Sequence, residues 1–197
     1  VVAALERAFV EEAPPLAVMG WSLGGVIALA WALAHPDRLR KLALVGTSPR
    51  FVADESWPYA MAPETLARFG DELRVAWQLT LQRFLSLQLQ GSEHGRATRA
   101  ALKDRIFARG EPSPKALFAA LALIRDADLR GEVGAITQPA LVVSGARDTL
   151  ALPGAGRWLA DHLPNARYML VSGAAHLPFL SHADAFGAGL DPFLDDC

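Results

Sequence analysis

The hexapeptide Gly20-Trp21-Ser22-Leu23-Gly24-Gly25 restricts the possible folds more than any other stretch of this chain. It has the pattern G-x-S-x-G. A short apolar run, residues 16–19, precedes it and reads as a strand; an Ala-, Leu- and Trp-rich run, residues 26–34, follows and reads as a helix. Between a strand and a helix, this pattern makes a sharp turn that presents a serine hydroxyl at the top of a sheet. The turn is so tight that the serine must hold a strained backbone conformation. Small residues two positions either side, Gly20 and Gly24, let strand and helix pass close together. The Leu23 N–H then opens the helix, whose N-terminus favours developing negative charge. The bland alternative is a glycine-rich turn with an incidental serine. The flanking strand and helix favour Ser22 as a nucleophile.

The rest of the chain supplies the sheet that such a turn needs. Residues 1–12 place Val2, Leu5 and Phe9 at helical spacing. Pro14-Pro15 ends that helix, and His35-Pro36-Asp37 stops the next one. Residues 41–46 read as a second buried strand. Strand, helix, strand is the parallel unit of an α/β sheet. The alternation then halts. Residues 47–138 hold no convincing strand but three helix candidates, at 64–89, 98–109 and 114–125. In the first, Leu66, Phe69, Leu73, Trp77, Leu81, Phe84 and Leu87 recur every three or four residues. The sheet resumes at residues 139–144, followed by a helix at 154–162, a strand at 166–171 and a weak closing helix from 183, interrupted by Gly187, Gly189 and Pro192. The expected architecture is therefore α/β: a mostly parallel core over residues 1–50 and 127–197, with a helical cap, residues 51–126, inserted between core strands.

A serine nucleophile needs a base within reach and an acid that orients the base. On this kind of sheet the chain order is Ser, then Asp or Glu, then His. Ser22, Asp148 and His176 satisfy it, each just beyond the C-terminal end of a candidate strand. Asp148 also suits a plain turn after a strand. Asp126 and Asp128 compete for its role, but as residues leading into a strand they are expected at the wrong edge of the sheet. His35, His94, His162 and His182 compete with His176 from helix ends and from the cap. The fold class these residues define is the α/β-hydrolase fold. No zinc spacing, Walker sequence or G-x-G-x-x-G stretch occurs, so no metal or other cofactor is expected.

Composition narrows the setting. The net charge of -2 and the lack of a basic tail argue against nucleic acid, and no apolar run reaches membrane-spanning length. The single cysteine, Cys197, cannot form an internal disulfide, which suits the cytoplasm. The chain opens without methionine, inside a helix and just before the strand of the serine turn. No His-Gly-type segment, the usual second oxyanion donor, precedes that turn. The expectation is a truncated chain lacking early strand units, on the order of 60 residues at about 30 per unit. Such a fragment should be poorly active and marginally stable.

Several stretches together resemble one family. They are the serine turn, Ser48-Pro49-Arg50-Phe51, Trp57-Pro58, Arg83-Phe84-Leu85-Ser86-Leu87-Gln88, Asp128-Leu129-Arg130, residues 145–148 and Ala174-Ala175-His176-Leu177-Pro178-Phe179. This set is similar to the pimeloyl-acyl-carrier-protein methyl ester esterases of biotin synthesis. The resemblance implies a serine carboxylesterase with Ser22, Asp148 and His176 as catalytic residues; a monomer is expected. It implies Leu23 beside the substrate, and Phe84, Leu85, Ser86, Leu87 and Gln88 around the acyl chain. It also implies an acidic acyl carrier protein as partner. Between Arg83 and Arg109 six basic residues face two acidic ones. By charge alone this is a solvated helix face. With a carrier-borne substrate it becomes a docking surface, with Arg83, Arg96, Arg99 and Lys103 as its cations. A broad small-ester hydrolase, lactonase or perhydrolase of the same fold, or a hydrolase-like binding module without turnover, are the alternatives.

Overall fold

In a computed structural model the chain is described over residues 1–10, 15–103 and 110–195, except for the side chains of residues 100, 101 and 103. Helix α1 (Val2–Ala8) leads to strand β1 (Leu16–Trp21), helix α2 (Leu23–Ala34) and strand β2 (Leu39–Val45). Three helices follow, α3 (Pro63–Gln88), α4 (Gly95–Lys103) and α5 (Pro114–Asp126). Strand β3 (Ala140–Gly145), helix α6 (Pro153–His162), strand β4 (Ala166–Val171), the single turn α7 (Pro178–Ser181) and helix α8 (Ala183–Asp195) complete the order.

The four strands form one parallel sheet in the order β1-β2-β3-β4. Parallel strands covered on both faces are continuously apolar, and β2 and β3 are buried almost throughout. On one face Leu42, Leu44 and Val142 pack against Leu29 and Trp31 of α2 and Leu159 of α6. On the other, Val45, Leu141, Val143 and Val171 pack against Phe186 and Phe193 of α8. That burial carries α8 through Pro192 to Asp195, further than its glycines and proline suggest. The one lysine in the sheet interior, Lys41, sends its Nζ to the carbonyls of Phe193 (2.7 Å) and Leu194 (3.1 Å), where it meets the last turn of α8.

The long helix read at 64–89 is not continuous. Ala76 leaves helical geometry, with φ −149° and ψ 60°, and breaks α3 in its middle. The Thr80 hydroxyl donates to the Ala76 carbonyl at 3.0 Å, a side-chain bond of the kind that bends helices. Periodicity could not show this, because apolar spacing continues through the break. The helix read at 98–109 is described only as far as Lys103.

Candidate active site

The register of the parallel sheet puts the ends of its strands level. Trp21 pairs with Val45, Val45 with Val143, and Gly145 with Val171. The residues that follow these strand ends share one edge of the sheet. Ser22 follows β1, Asp148 follows β3 by three residues, and His176 follows β4 by five.

Ser22 has φ 54° and ψ −121°, and it is the only non-glycine residue with positive φ among the described residues. Such strain persists only where neighbours hold it. Here the Ser22 N–H donates to the Val45 carbonyl at 2.9 Å, extending the β1–β2 ladder by one residue. The Ser22 carbonyl accepts from the Gly25 N–H (2.9 Å) and from the Thr47 hydroxyl (2.7 Å). A side chain at Gly20 would lie 2.5 Å from the Gly24 carbonyl oxygen and 2.6 Å from the Gly25 Cα, so strand and helix do pass closely there. The second tight position is Gly25 rather than Gly24. A Cβ at Gly25 would meet Thr47 at 2.6 Å, whereas Gly24 has nothing within 4 Å. The first two N–H groups of α2, those of Leu23 and Gly24, precede the first turn bond, which runs from Gly25 to the Ser22 carbonyl.

Asp148 and His176 are buried, at 3% and 1% exposure. The His176 Nδ1 lies 2.8 Å from Asp148 Oδ2. A carboxylate accepts, so Nδ1 donates and Nε2 is left as the basic nitrogen. Nε2 is buried with no hydrogen-bond partner. The other carboxylate oxygen, Oδ1, accepts from the backbone N–H groups of Leu150 (2.9 Å) and Ala151 (3.0 Å). The turn reading of Asp148 and the catalytic reading are thus compatible: one oxygen caps the turn while the other orients the histidine.

Ser22 and His176 are not hydrogen-bonded to each other, a common state for such pairs before substrate arrives. Trp21 links them. Its indole N–H donates to the His176 carbonyl at 2.9 Å, and its ring lies 5.4 Å from the imidazole. Nothing in the sequence marks this contact, which joins residues 155 positions apart.

The rival residues are engaged elsewhere. Asp126 is paired with Arg125. Asp128 is not at the far edge of the sheet, as its place before a strand suggests. It bridges to Arg50, just after β2, because residues 128–129 pair with residues 49–50. Hydrogen bonds from Arg130, with the charge of Arg50 added, hold the Asp128 carboxyl below the usual carboxylate range. His162 stacks on Trp158, and His94 and His182 lie against each other. His35 caps the end of α2.

The five residues 84–88 do not share one wall, since consecutive positions of a helix point in different directions. Phe84, Ser86 and Leu87 line a groove of about 740 Å³ together with Arg83, Arg96 and Arg99. Gln88 is buried, and its carbonyl accepts from the His176 N–H at 3.1 Å. Ser22, Asp148 and His176 are not on the groove wall. The Lys103 side chain lies outside the described residues, as do residues 104–109. Among the described residues no group of three His, Cys, Asp or Glu side chains is placed to share a metal ion.

A strained serine at a strand–helix turn, with a buried Asp–His pair at the same sheet edge, defines the alpha/beta hydrolase class. The family model for the alpha/beta hydrolase fold matches residues 12–183. Among solved structures, a bromoperoxidase from Bacillus anthracis superposes with TM-score 0.89 at 20% identity, covering 99% of this chain and 73% of that one. An enol-lactonase from Burkholderia xenovorans superposes with TM-score 0.84 at 26% identity, covering 98% and 71%. Curated relatives are closer in sequence. The pimeloyl-(acyl-carrier protein) methyl ester esterase of Chromobacterium violaceum is 46% identical over 181 residues, 92% of this chain and 70% of that protein. The Stenotrophomonas maltophilia esterase of the same name is 39% identical over 187 residues, 95% and 72%. The chain belongs to the alpha/beta hydrolase family, in its group of pimeloyl-(acyl-carrier protein) methyl ester esterases.

Proposed function

We propose that this chain is a serine carboxylesterase that hydrolyses the methyl ester of a pimeloyl group carried on acyl carrier protein, a step of biotin synthesis. Ser22 Oγ attacks the ester carbonyl while His176 Nε2 takes its proton. The tetrahedral oxyanion forms over the N-terminus of α2, where the Leu23 N–H is a donor. His176 then gives the proton to departing methanol. Water adds to the acyl-enzyme by the same route, and the free acid leaves. Asp148 keeps His176 in the tautomer with Nε2 free and stabilises the imidazolium as it forms. The observation that carries this reading is the buried 2.8 Å contact between Asp148 and His176 at the sheet edge where strained Ser22 sits.

The helices between β2 and β3 act as a cap. Of residues 84–88, Phe84, Ser86 and Leu87, on the groove wall, contact the acyl chain. Arg83, Arg96, Arg99 and Lys103 receive the acidic carrier. The enzyme works as a monomer in the cytoplasm; no described helix is long and apolar enough to cross a membrane. The solved neighbours named above include a lactonase and a bromoperoxidase, so the fold by itself does not choose the substrate. The test compares methyl pimeloyl-carrier protein with short nitrophenyl esters, and probes Ser22 with a fluorophosphonate. Labelling at Ser22 and a kcat/KM higher for the carrier-borne ester are expected. Labelling without that preference makes the chain a general esterase; no labelling makes it a binding module.

A further inference from the structure

The turn between α3 and α4 touches both loops that carry the proposed acid and base. On the base loop, the His176 N–H donates to the Gln88 carbonyl at 3.1 Å. The Glu93 N–H donates to the carbonyl of Gly173, also at 3.1 Å. On the acid loop, Arg147 precedes Asp148 and reaches back with both prongs of its guanidinium. Nη1 donates to the Gly91 carbonyl at 2.8 Å, and Nη2 to Glu93 Oε1 at 2.9 Å. The Glu93 carboxylate also lies against Gly173, at φ +75°, where a Cβ would come within 2.6 Å of the carboxyl carbon. Residues 88–93 therefore clasp the acid loop on one side and the base loop on the other.

We propose that the Arg147–Glu93 pair is a positioning device: it fixes the end of α3 relative to the Asp148–His176 pair and so helps decide which acyl chain length is turned over. This rests on the catalytic and acyl-binding roles proposed above. Both side chains are about half exposed, 49% and 52%, so the pair adds little to stability. What it sets is geometry. The α3 end carries Phe84 and Leu87 on the groove wall and, one residue later, the Gln88 carbonyl that holds the His176 N–H. A short ester needs only Ser22, His176 and Asp148 in register. A long acyl chain must also meet the α3 end while its carbonyl sits at Ser22. Displacement of the turn therefore slows the long ester more than the short one, since misplacement by about 1 Å can cost about a hundredfold.

The experiment uses the full-length chain carrying Glu93→Gln, Arg147→Met, both together, or Arg147→Lys. The readout is the ratio of kcat/KM for nitrophenyl heptanoate to that for nitrophenyl acetate. Arg147→Met, which removes the bonds to both Gly91 and Glu93, should lower the ratio about tenfold; Glu93→Gln, which weakens only the second, should lower it by less but more than about twofold, and the double variant should fall no further than Arg147→Met alone. Arg147→Lys keeps the charge but loses the two-pronged reach, and should fall between. In the unaltered chain, rising salt should screen the exposed pair and lower the ratio as well, a measurement that needs no variant to fold. A ratio unchanged within about twofold in both single variants, or additive losses in the double, overturns the proposal. Fluorophosphonate labelling of the unaltered chain separates the two levels: its absence sinks the reading of Ser22, whereas a flat ratio with full labelling sinks only the clasp.

Discussion

The acid–base pair and the helices between β2 and β3 differ in how far they rely on exposed ion pairs. Asp148 and His176 are almost fully buried, and bonds to backbone N–H groups and to the Trp21 indole fix them. The helical segment meets the same edge through two backbone bonds, at Gln88 and Glu93, and through an exposed ion pair, Arg147 with Glu93, and it presents Arg83, Arg96 and Arg99 along an open groove. Buried hydrogen bonds permit one geometry, whereas exposed ion pairs are weak and screened. On the proposed reading, the chemistry is built on the buried contacts, and the choice of ester rests in part on the exposed ones.

Substitutions should follow that division. Ser22→Ala, measured in the full-length protein, should lower kcat about 10⁶-fold with circular dichroism unchanged. Retention of most activity would remove Ser22 from the mechanism. Asp148→Asn should lower kcat about 10⁴-fold, because the wrong tautomer of His176 is then favoured; a loss no larger than that of Asp161→Asn, on the surface of α6, would contradict the assignment. Next come the paired glycines. Gly25→Ala forces a Cβ onto Thr47 and should destabilise by about 1–3 kcal/mol, read from denaturant melts. Gly24→Ala meets no neighbour and should change stability by no more than about 1 kcal/mol. Equal effects would mean the turn is looser than its geometry.

On the cap side, Arg96→Glu with Arg99→Glu should lower kcat/KM for the carrier-borne ester far more than for a free short ester, and the loss should shrink with salt. Equal loss on both esters would make these arginines a solvated face. The smallest effect concerns Asp128. Its carboxyl is held below the ordinary range by Arg130, so the stabilisation is present above the unfolded value of about 3.9 and is lost as pH falls through the lower folded value. The melting-temperature gap between the parent and Asp128→Asn should therefore be present at neutral pH and close on acidification. A gap that widens in acid would reverse the argument.

The proposed catalytic residues were legible in the sequence because each follows a mostly apolar run, and such runs become parallel strands whose ends align. Ser22 carried its own local pattern as well. What was not legible depends on contacts between distant segments. Sequence spacing pointed to Gly24 as the tight position, but the neighbour that decides is Thr47, across the sheet edge. The break at Ala76 is hidden by a periodicity that runs through it. The contact of Trp21 with the His176 carbonyl, and of Arg147 with Glu93, join loops that only the sheet brings together.

The pairing of residues 49–50 with 128–129 has a further consequence. The chain leaves the sheet region at Arg50 and returns at Asp128, and those two points are already bonded to each other, with Arg130 and Asp54 drawn into the same ion cluster beside Trp57. Whatever lies between them hangs from a closed neck. Lengthening, shortening or replacing that stretch changes a loop whose ends are fixed in advance, and the entropy of closing such a loop grows only slowly with its length. Residues 50 and 128 are therefore natural graft points for exchanging the helices of one hydrolase for those of another, provided the graft also restores the contacts of residues 88–93 with the loops of Asp148 and His176 and of Trp57 with Trp158.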